Sequence, residues 1–332
     1  MIFFITVLRT LSACLITNAH YVGVYPIEII ANGGLIGDIL FFAISGYCLY
    51  DIKLSFLKWY GKRLYRIYPP VMIITAIYML ANIYSLTNHS IGWWFLYPTY
   101  YHFVASIIIL YIPYYFIIKN NILKNHLIKI MLGILIIEII VYIFIYDKTY
   151  YHIDNVREPM IRFLFMESML LGAWFRENIS KIINQFKWWQ PIITFFVFLL
   201  YFASKLFFIQ GFFLFFQIFN QVIIFILLFF IFFTFAALNS KLEKFPKKIK
   251  SLNNFISKIT LEIYVVQYVI IKYLGSKGYF PLNWIVLTLT IVMMAFVLHK
   301  ICEIFYRICD KFLKFDCNRG KKDENNYDET IL

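Results

Sequence analysis

The residues best equipped for chemistry in this chain are polar ones set inside apolar stretches, and they come early. Arg9 and His20 stand eleven positions apart in one such stretch, LRTLSACLITNAH. Eleven residues of α-helix make almost three whole turns, so both side chains leave one face, about 16 Å apart along the axis. Asp38 and Ser45, seven positions apart in the next stretch, GGLIGDILFFAISGY, also share a face. An ionisable group at the centre of a lipid-length helix costs about 2.5–3.5 kcal/mol on insertion scales. A chain that keeps Arg, His and Asp in its first two such helices is expected to use them. The imidazole of His20, with an ordinary pKa of about 6.5, suits a general base or proton relay acting on a hydroxyl. The plainer alternative is a polar residue at the outer end of its helix, where such groups are well tolerated.

A third stretch, FLKWYGKRLYRIYPP, is basic and aromatic. Lys62 and Arg66 are i,i+4 and Arg63 and Arg66 are i,i+3, so three cations crowd one helical side. Two readings stand here. One is a charged anchor with interfacial aromatics, and the other is a clamp for the phosphates of an anionic ligand, which guanidinium forks fit well. Pro69-Pro70 is expected to break this turn and begin a new span.

The elements that must hold these residues follow from composition. Of 332 residues, 62% are hydrophobic and 21% aromatic, and the mean hydropathy of +0.73 excludes a soluble globule. The apolar runs are continuous rather than alternating, so the spans are helices. The fold class expected is all-α, a polytopic membrane bundle of about ten helices near 2–22, 34–50, 67–84, 93–118, 127–146, 160–176, 190–208, 211–238, 256–274 and 282–305. The formal charge of +13 raises the possibility of nucleic acid. Its distribution argues against that partner, because Lys and Arg gather in alternate connections, as around Lys53 to Arg66 and Lys241 to Lys258. That alternation is the positive-inside rule, with both termini cytoplasmic and the chain multi-pass in the cell (inner) membrane. Residues 1–308 form the membrane domain, and 309–332 are a charged tail expected to be disordered.

The remaining features are less telling. Five cysteines show no metal spacing and no extracellular pairing pattern, so free thiols and no metal are expected. Leu11-Ser12-Ala13-Cys14 has the form of a lipoprotein cleavage box, but Arg9 interrupts the apolar region a signal requires, and no cleavage is expected. The outer connection from Asp147 to Pro159, with Tyr150, Tyr151 and His152, reads either as an aromatic lip for a sugar or as ordinary boundary sequence. Lys205 is placed to snorkel outward. Glu167, inside the sixth span, needs a partner or a wet cavity.

Taken together, Arg9-x10-His20, Gly37-Asp38-Ile39-Leu40-Phe41-Phe42-Ala43-Ile44-Ser45-Gly46-Tyr47 and Arg63-Leu64-Tyr65-Arg66-Ile67-Tyr68-Pro69 resemble the acyltransferase-3 family of membrane acyltransferases. That family is marked by an Arg-x10-His first helix, a GxDLFFxxSGF-like second helix and an RxxR element before an aromatic-Pro. Weaker likeness continues through Tyr111-Ile112-Pro113, Phe165 to Gly172 and Ile259 to Tyr268. The resemblance implies transfer of an acyl group, usually acetyl, from cytosolic acyl-CoA to a hydroxyl of a surface glycan or lipid-linked sugar in a bacterial envelope. By the same resemblance Arg9 and His20 are the essential pair and Asp38 belongs to the second-helix motif; the catalytic role expected of Asp38, a hypothesis from the residues themselves, is to orient His20 or Arg9. Arg63, Arg66, Lys62 and Ser45 are assigned to the acyl-CoA donor, acetyl-CoA being the co-substrate. Two positions depart from the pattern. Gln267 stands where the family has His, and Glu303 is followed by Ile304-Phe305 rather than by x-Pro. The competing classes are a polysaccharide flippase or polymerase and a proton-coupled transporter using Asp38, Glu138 and Glu167. The first typically needs a large outer loop, and the second should show inverted repeats; neither is found in the sequence.

Overall fold

The structure, a computed structural model, describes residues 2–85, 90–95, 101–275 and 278–313. The expected tail falls almost wholly outside these residues, and the last helix runs past 308 to Leu313. In chain order the helices are α1 (Phe3–Ala19), α2 (Gly34–Cys48), α3 (Phe56–Leu80), α4 (Ile91–Phe95), α5 (His102–Lys119), α6 (Asn121–Lys124) and α7 (Leu127–Phe144). They continue as α8 (Ile161–Ile182), α9 (Trp189–Ile209), α10 (Ile218–Ala237), α11 (Asn239–Leu242), α12 (Lys247–Lys258), α13 (Thr260–Leu274) and α14 (Leu282–Leu313). No strand occurs among the described residues. Every expected span carries helix, and among the described residues six helical stretches are long and apolar enough to cross a membrane by length and composition. The count becomes seven if the α12–α13 pair, bent by 71°, is one span. The others fall short for physical reasons: α1 has 17 residues, and α3 and α8 carry cations within their turns.

The bundle is built around α2, whose residues from Leu35 to Tyr47 are all buried. Small residues let its neighbours come close. A Cβ on Gly46 would stand 1.9 Å from the carbonyl oxygen of Met169, and one on Gly172 would stand 1.8 Å from that of Ala43. These two glycines therefore bring the backbones of α2 and α8 into direct contact, the small-residue packing that membrane helices use where no hydrophobic effect drives them together. On its other side α2 meets α1, where Ser12 donates to the Gly37 carbonyl at 2.7 Å. Phe42 stacks on Phe165 of α8 at 4.2 Å and packs on Phe103 of α5 at 4.9 Å. Tyr114 of α5 donates to the Gly46 carbonyl at 2.6 Å.

The proline pair does not end a helix. Pro69 and Pro70 both lie inside α3. A proline at position 70 has no N–H for the carbonyl of residue 66. That carbonyl instead accepts the Tyr306 hydroxyl of α14 at 3.1 Å. Tertiary contact supplies the missing donor, and the helix continues.

Candidate active site

The sequence of α3 decides which of its cations turn inward. Its buried stripe runs through Trp59, Arg63, Ile67, Val71, Ile74 and Tyr78, spaced three or four residues apart as a core-facing helix side requires. Arg63 therefore lies in the core at 4% exposure, its guanidinium 5.8 Å from the Trp59 ring centroid. Arg66 is partly buried, whereas Lys62 is exposed. The three cations thus do not act as one cluster: the arginines lie toward the bundle and the lysine away from it.

Arg9 of α1 is 2% exposed, with Cys48 and Tyr111 as its electrostatic neighbours. Tyr111, on α5, joins the group together. Its phenol is fully buried within reach of Arg63, Arg66 and Arg9. Its hydroxyl faces Ser45 without completing a well-formed hydrogen bond. Nearby, Arg176 of α8 lies over the Tyr47 ring at 5.5 Å and bonds Asp51 at 3.3 Å. Arg9, Arg63, Arg66 and Arg176 thus lie within electrostatic range of Tyr111 or Cys48 at the end of the bundle where α1 begins and α2 ends. Guanidinium groups backed by aromatic rings suit multivalent phosphate better than a single ammonium does.

Asp38 lies further along α2, buried at 6% exposure. Its carboxyl is paired with neither Arg9 nor His20, and its electrostatic neighbour is Tyr264 of α13. Beside it a void of about 10 Å³ is lined by Ala13, Ile16, Phe41, Phe103, Tyr264 and Gln267. It marks a seam between α1, α2, α5 and α13. Gln267 accepts a hydrogen bond from Thr17 at 2.6 Å, and its side-chain Nε2 is buried with no acceptor.

His20 caps the far end of α1, its N–H bonded to the Thr17 carbonyl at 3.1 Å. Its side chain is exposed and meets Tyr268 edge-on at 6.4 Å. The loop that follows is pinned back by Asn18, which donates to the carbonyls of Ile30 at 2.7 Å and Asn32 at 3.0 Å. The two early polar residues of α1 therefore open on opposite ends of one helix, with Asp38 at an intermediate level.

The tyrosine-bearing loop is folded rather than splayed. His152 is sandwiched between Tyr146 at 4.5 Å and Tyr150 at 4.1 Å. Gln217 and Gln221 of the α10 region hold the backbone of residues 150–153, and Lys205 forms a partly buried ion pair with Asp154 at 2.6 Å. Lys205 thus reaches toward the outer connections, as expected, and finds a carboxylate partner there. At the other end of the bundle α13 and α14 are joined by His299, whose ring lies 2.7 Å from Glu262 and 3.4 Å from Glu303.

Sequence reasoning did not single out Tyr111 or Arg176 for the arginine centre. The signal available was the Tyr111-Ile112-Pro113 element and the basic end of α8, but neither spacing says which helices meet. The departure at Gln267 also gains a setting, one turn from His20 and facing the seam.

A family model described as an acyltransferase domain matches residues 2–299. Neither a curated protein nor a solved structure matches the chain.

Proposed function

The chain belongs to the acyltransferase-3 family, and from that premise we propose that it moves an acyl group from cytosolic acyl-CoA to a hydroxyl of a cell-surface carbohydrate. Acetyl is the group proposed, acetyl-CoA the donor, and the inner membrane of a bacterial cell the location. The arginine-rich end of the bundle faces the cytosol, both termini lie on that side, and about ten helices cross the bilayer, including the short or charge-bearing α1, α3 and α8.

The observation that carries this reading is the arrangement along α1. Arg9, Arg63 and Arg66 all act electrostatically on the buried Tyr111 phenol, which faces Ser45, at one end, and His20 opens on the other. In the proposed reaction the arginines hold the phosphates of the donor by charge-assisted hydrogen bonds. The thioester arm enters along the seam past Asp38 and Gln267, where the Gln267 N–H is available to its carbonyl. Because that seam is barely large enough for a water, α13 must separate from α1 and α2 for the arm to pass. His20 takes the proton of the acceptor hydroxyl, whose oxygen attacks the thioester carbon. The C–S bond breaks, and the thiolate leaves and is protonated. Lys62, exposed on α3, contributes long-range attraction for the anionic donor rather than a contact.

The test is transfer of labelled acetyl from acetyl-CoA by purified protein in lipid. The His20→Ala variant is expected to lose at least about a hundredfold in rate, the usual worth of a general base, with its thermal melting unchanged because the side chain is exposed. Wild-type turnover by that variant would sink the assignment.

A further inference from the structure

Away from the arginine centre, a second polar site lies between α7, α8 and α10. A cavity of about 180 Å³ is lined along α7 by Ile128, Leu132, Leu135 and Glu138, and closed by Glu167 of α8 and Gln221 of α10. Both glutamates are buried, at 2% and 5% exposure, and Gln221 is at 3%. Neither glutamate has a cation partner among the described residues. Glu138 Oε1 and Gln221 Oε1 are both buried with no hydrogen bond, while the amide nitrogen of Gln221 is committed to the Ile153 carbonyl at 3.0 Å.

The unmet atoms, Glu138 Oε1 and Gln221 Oε1, are both oxygens able to accept a hydrogen bond. A buried acceptor left unsatisfied costs about 1–3 kcal/mol, and intramembrane carboxyl groups are retained where they have work to do. The cavity is also polar at one end only. From Glu138 back to Ile128 is ten residues of helix, about 15 Å, and the lining over that length is apolar. Ile128 and Leu132 are more than half exposed on the outer side of α7, so the groove opens sideways toward lipid. Its volume is below the roughly 300–1,000 Å³ of a site that encloses a whole small molecule, and so suits part of a ligand whose remainder stays in the bilayer.

We propose that this groove binds a membrane amphiphile, with one alkyl chain along α7 and a hydrogen-bond-donating head without negative charge on Glu138, Glu167 and Gln221. A phosphate-headed lipid fits less well, since it would set a negative charge beside two carboxyl groups and the Gln221 carbonyl, with no cation among the residues lining the cavity. The donor head is either a hydroxyl or an ammonium. This site is independent of the acyl-transfer reading, because none of its residues belongs to the arginine centre or the seam.

The experiment is native mass spectrometry of the full-length protein, released from a polyoxyethylene detergent, with three probes of equal chain length: monododecanoylglycerol, dodecylammonium and dodecyl phosphate. One equivalent of the glycerol or the ammonium probe is expected to bind at least tenfold more tightly than the phosphate, and whichever binds identifies the head. The Glu138→Gln/Glu167→Gln double variant should lose that preference. Leu135→Trp, which fills the chain groove and leaves the acids in place, should lose tenfold in affinity for all probes while keeping its melting temperature. Equal binding of the phosphate probe, or wild-type binding by Leu135→Trp, overturns the proposal.

Discussion

The stretch Glu28–Cys48, which ends in α2, and helix α9 both pass for membrane spans by length and composition, yet they occupy opposite places in the molecule. The stretch ending at Cys48 is 72% buried inside the protein, and α9 only 11%. Their difference lies in side-chain size and polarity. On α2, Gly37, Ala43 and Gly46 alternate with Asp38 and Ser45, so neighbours can come close and find hydrogen-bonding groups. On α9, Phe195, Phe196, Leu199 and Leu200 are bulky and point outward. In a bilayer, apolarity does not drive a helix inward, because the surrounding lipid is as apolar as a core. Close packing and polar contacts do so instead, which is why Asp38 and Ser45 lie on a helix that is packed on all sides.

This contrast can be broken by substitution. The largest effect is expected at the α2–α8 contact. Gly46→Ala or Gly172→Ala places a methyl group against a backbone carbonyl that cannot swing aside, and each should cost about 3 kcal/mol, the upper part of the overpacking range. Thermal unfolding in detergent reads this directly. The control is Gly133→Ala on α7, where nothing lies within 4 Å of the added carbon, and there helix propensity should give a gain of about 0.5–1 kcal/mol. If the two classes behave alike, α2 is not the packed centre.

Within the core, removal of a donor to phosphate comes next. Arg63→Ala is expected to raise KM for acetyl-CoA by at least tenfold, as loss of a charged hydrogen bond worth about 1.5–3 kcal/mol implies. Lys62→Ala, one position away but exposed, should change KM less than twofold at physiological salt, where distant charges are screened. Steady-state kinetics on both variants separates the inward cation from the outward one.

A smaller effect is expected at the proline pair. Tyr306→Phe removes the donor to the Arg66 carbonyl and should cost about 1 kcal/mol, seen as a lower melting temperature with folding retained. Smallest of all is Leu199→Ala on α9, where truncation of a lipid-facing side chain should stay within about 0.5 kcal/mol of wild type. A larger loss there would mean that α9 is covered by protein rather than lipid.

Much of this could be read before any coordinates. The unbroken apolar runs required helices, because only they satisfy every backbone group of a single span in lipid. The eleven-residue spacing of Arg9 and His20 put them on one face, and the basic stretch before Pro69 marked Arg63 and Arg66. Other features could not be read this way. Pro69-Pro70 has the local signature of a helix boundary, yet the helix runs on, and a hydroxyl from a helix more than two hundred residues later meets the Arg66 carbonyl that Pro70 leaves without a donor. Lys62, Arg63 and Arg66 look alike in sequence, and the stripe from Trp59 to Tyr78 separates them once α3 has a core to face. The loop with Tyr150 and His152 reads either as a lip for a sugar or as boundary sequence, and only the structure shows Gln217 and Gln221 holding its backbone.

The sequence by itself determined the local terms: helix rather than strand, which residues share a face, and the order of motifs that identifies the family. Those depend on backbone geometry and on neighbours a few residues away. Tertiary structure alone decided that Tyr111 would stand among three arginines, that Gln267 would face the seam one turn from His20, and that Glu138 and Glu167 would share a cavity. Each of these joins helices far apart in the chain, and helix contacts in lipid are set by the fit of small residues and polar groups across an interface, which no single helix records.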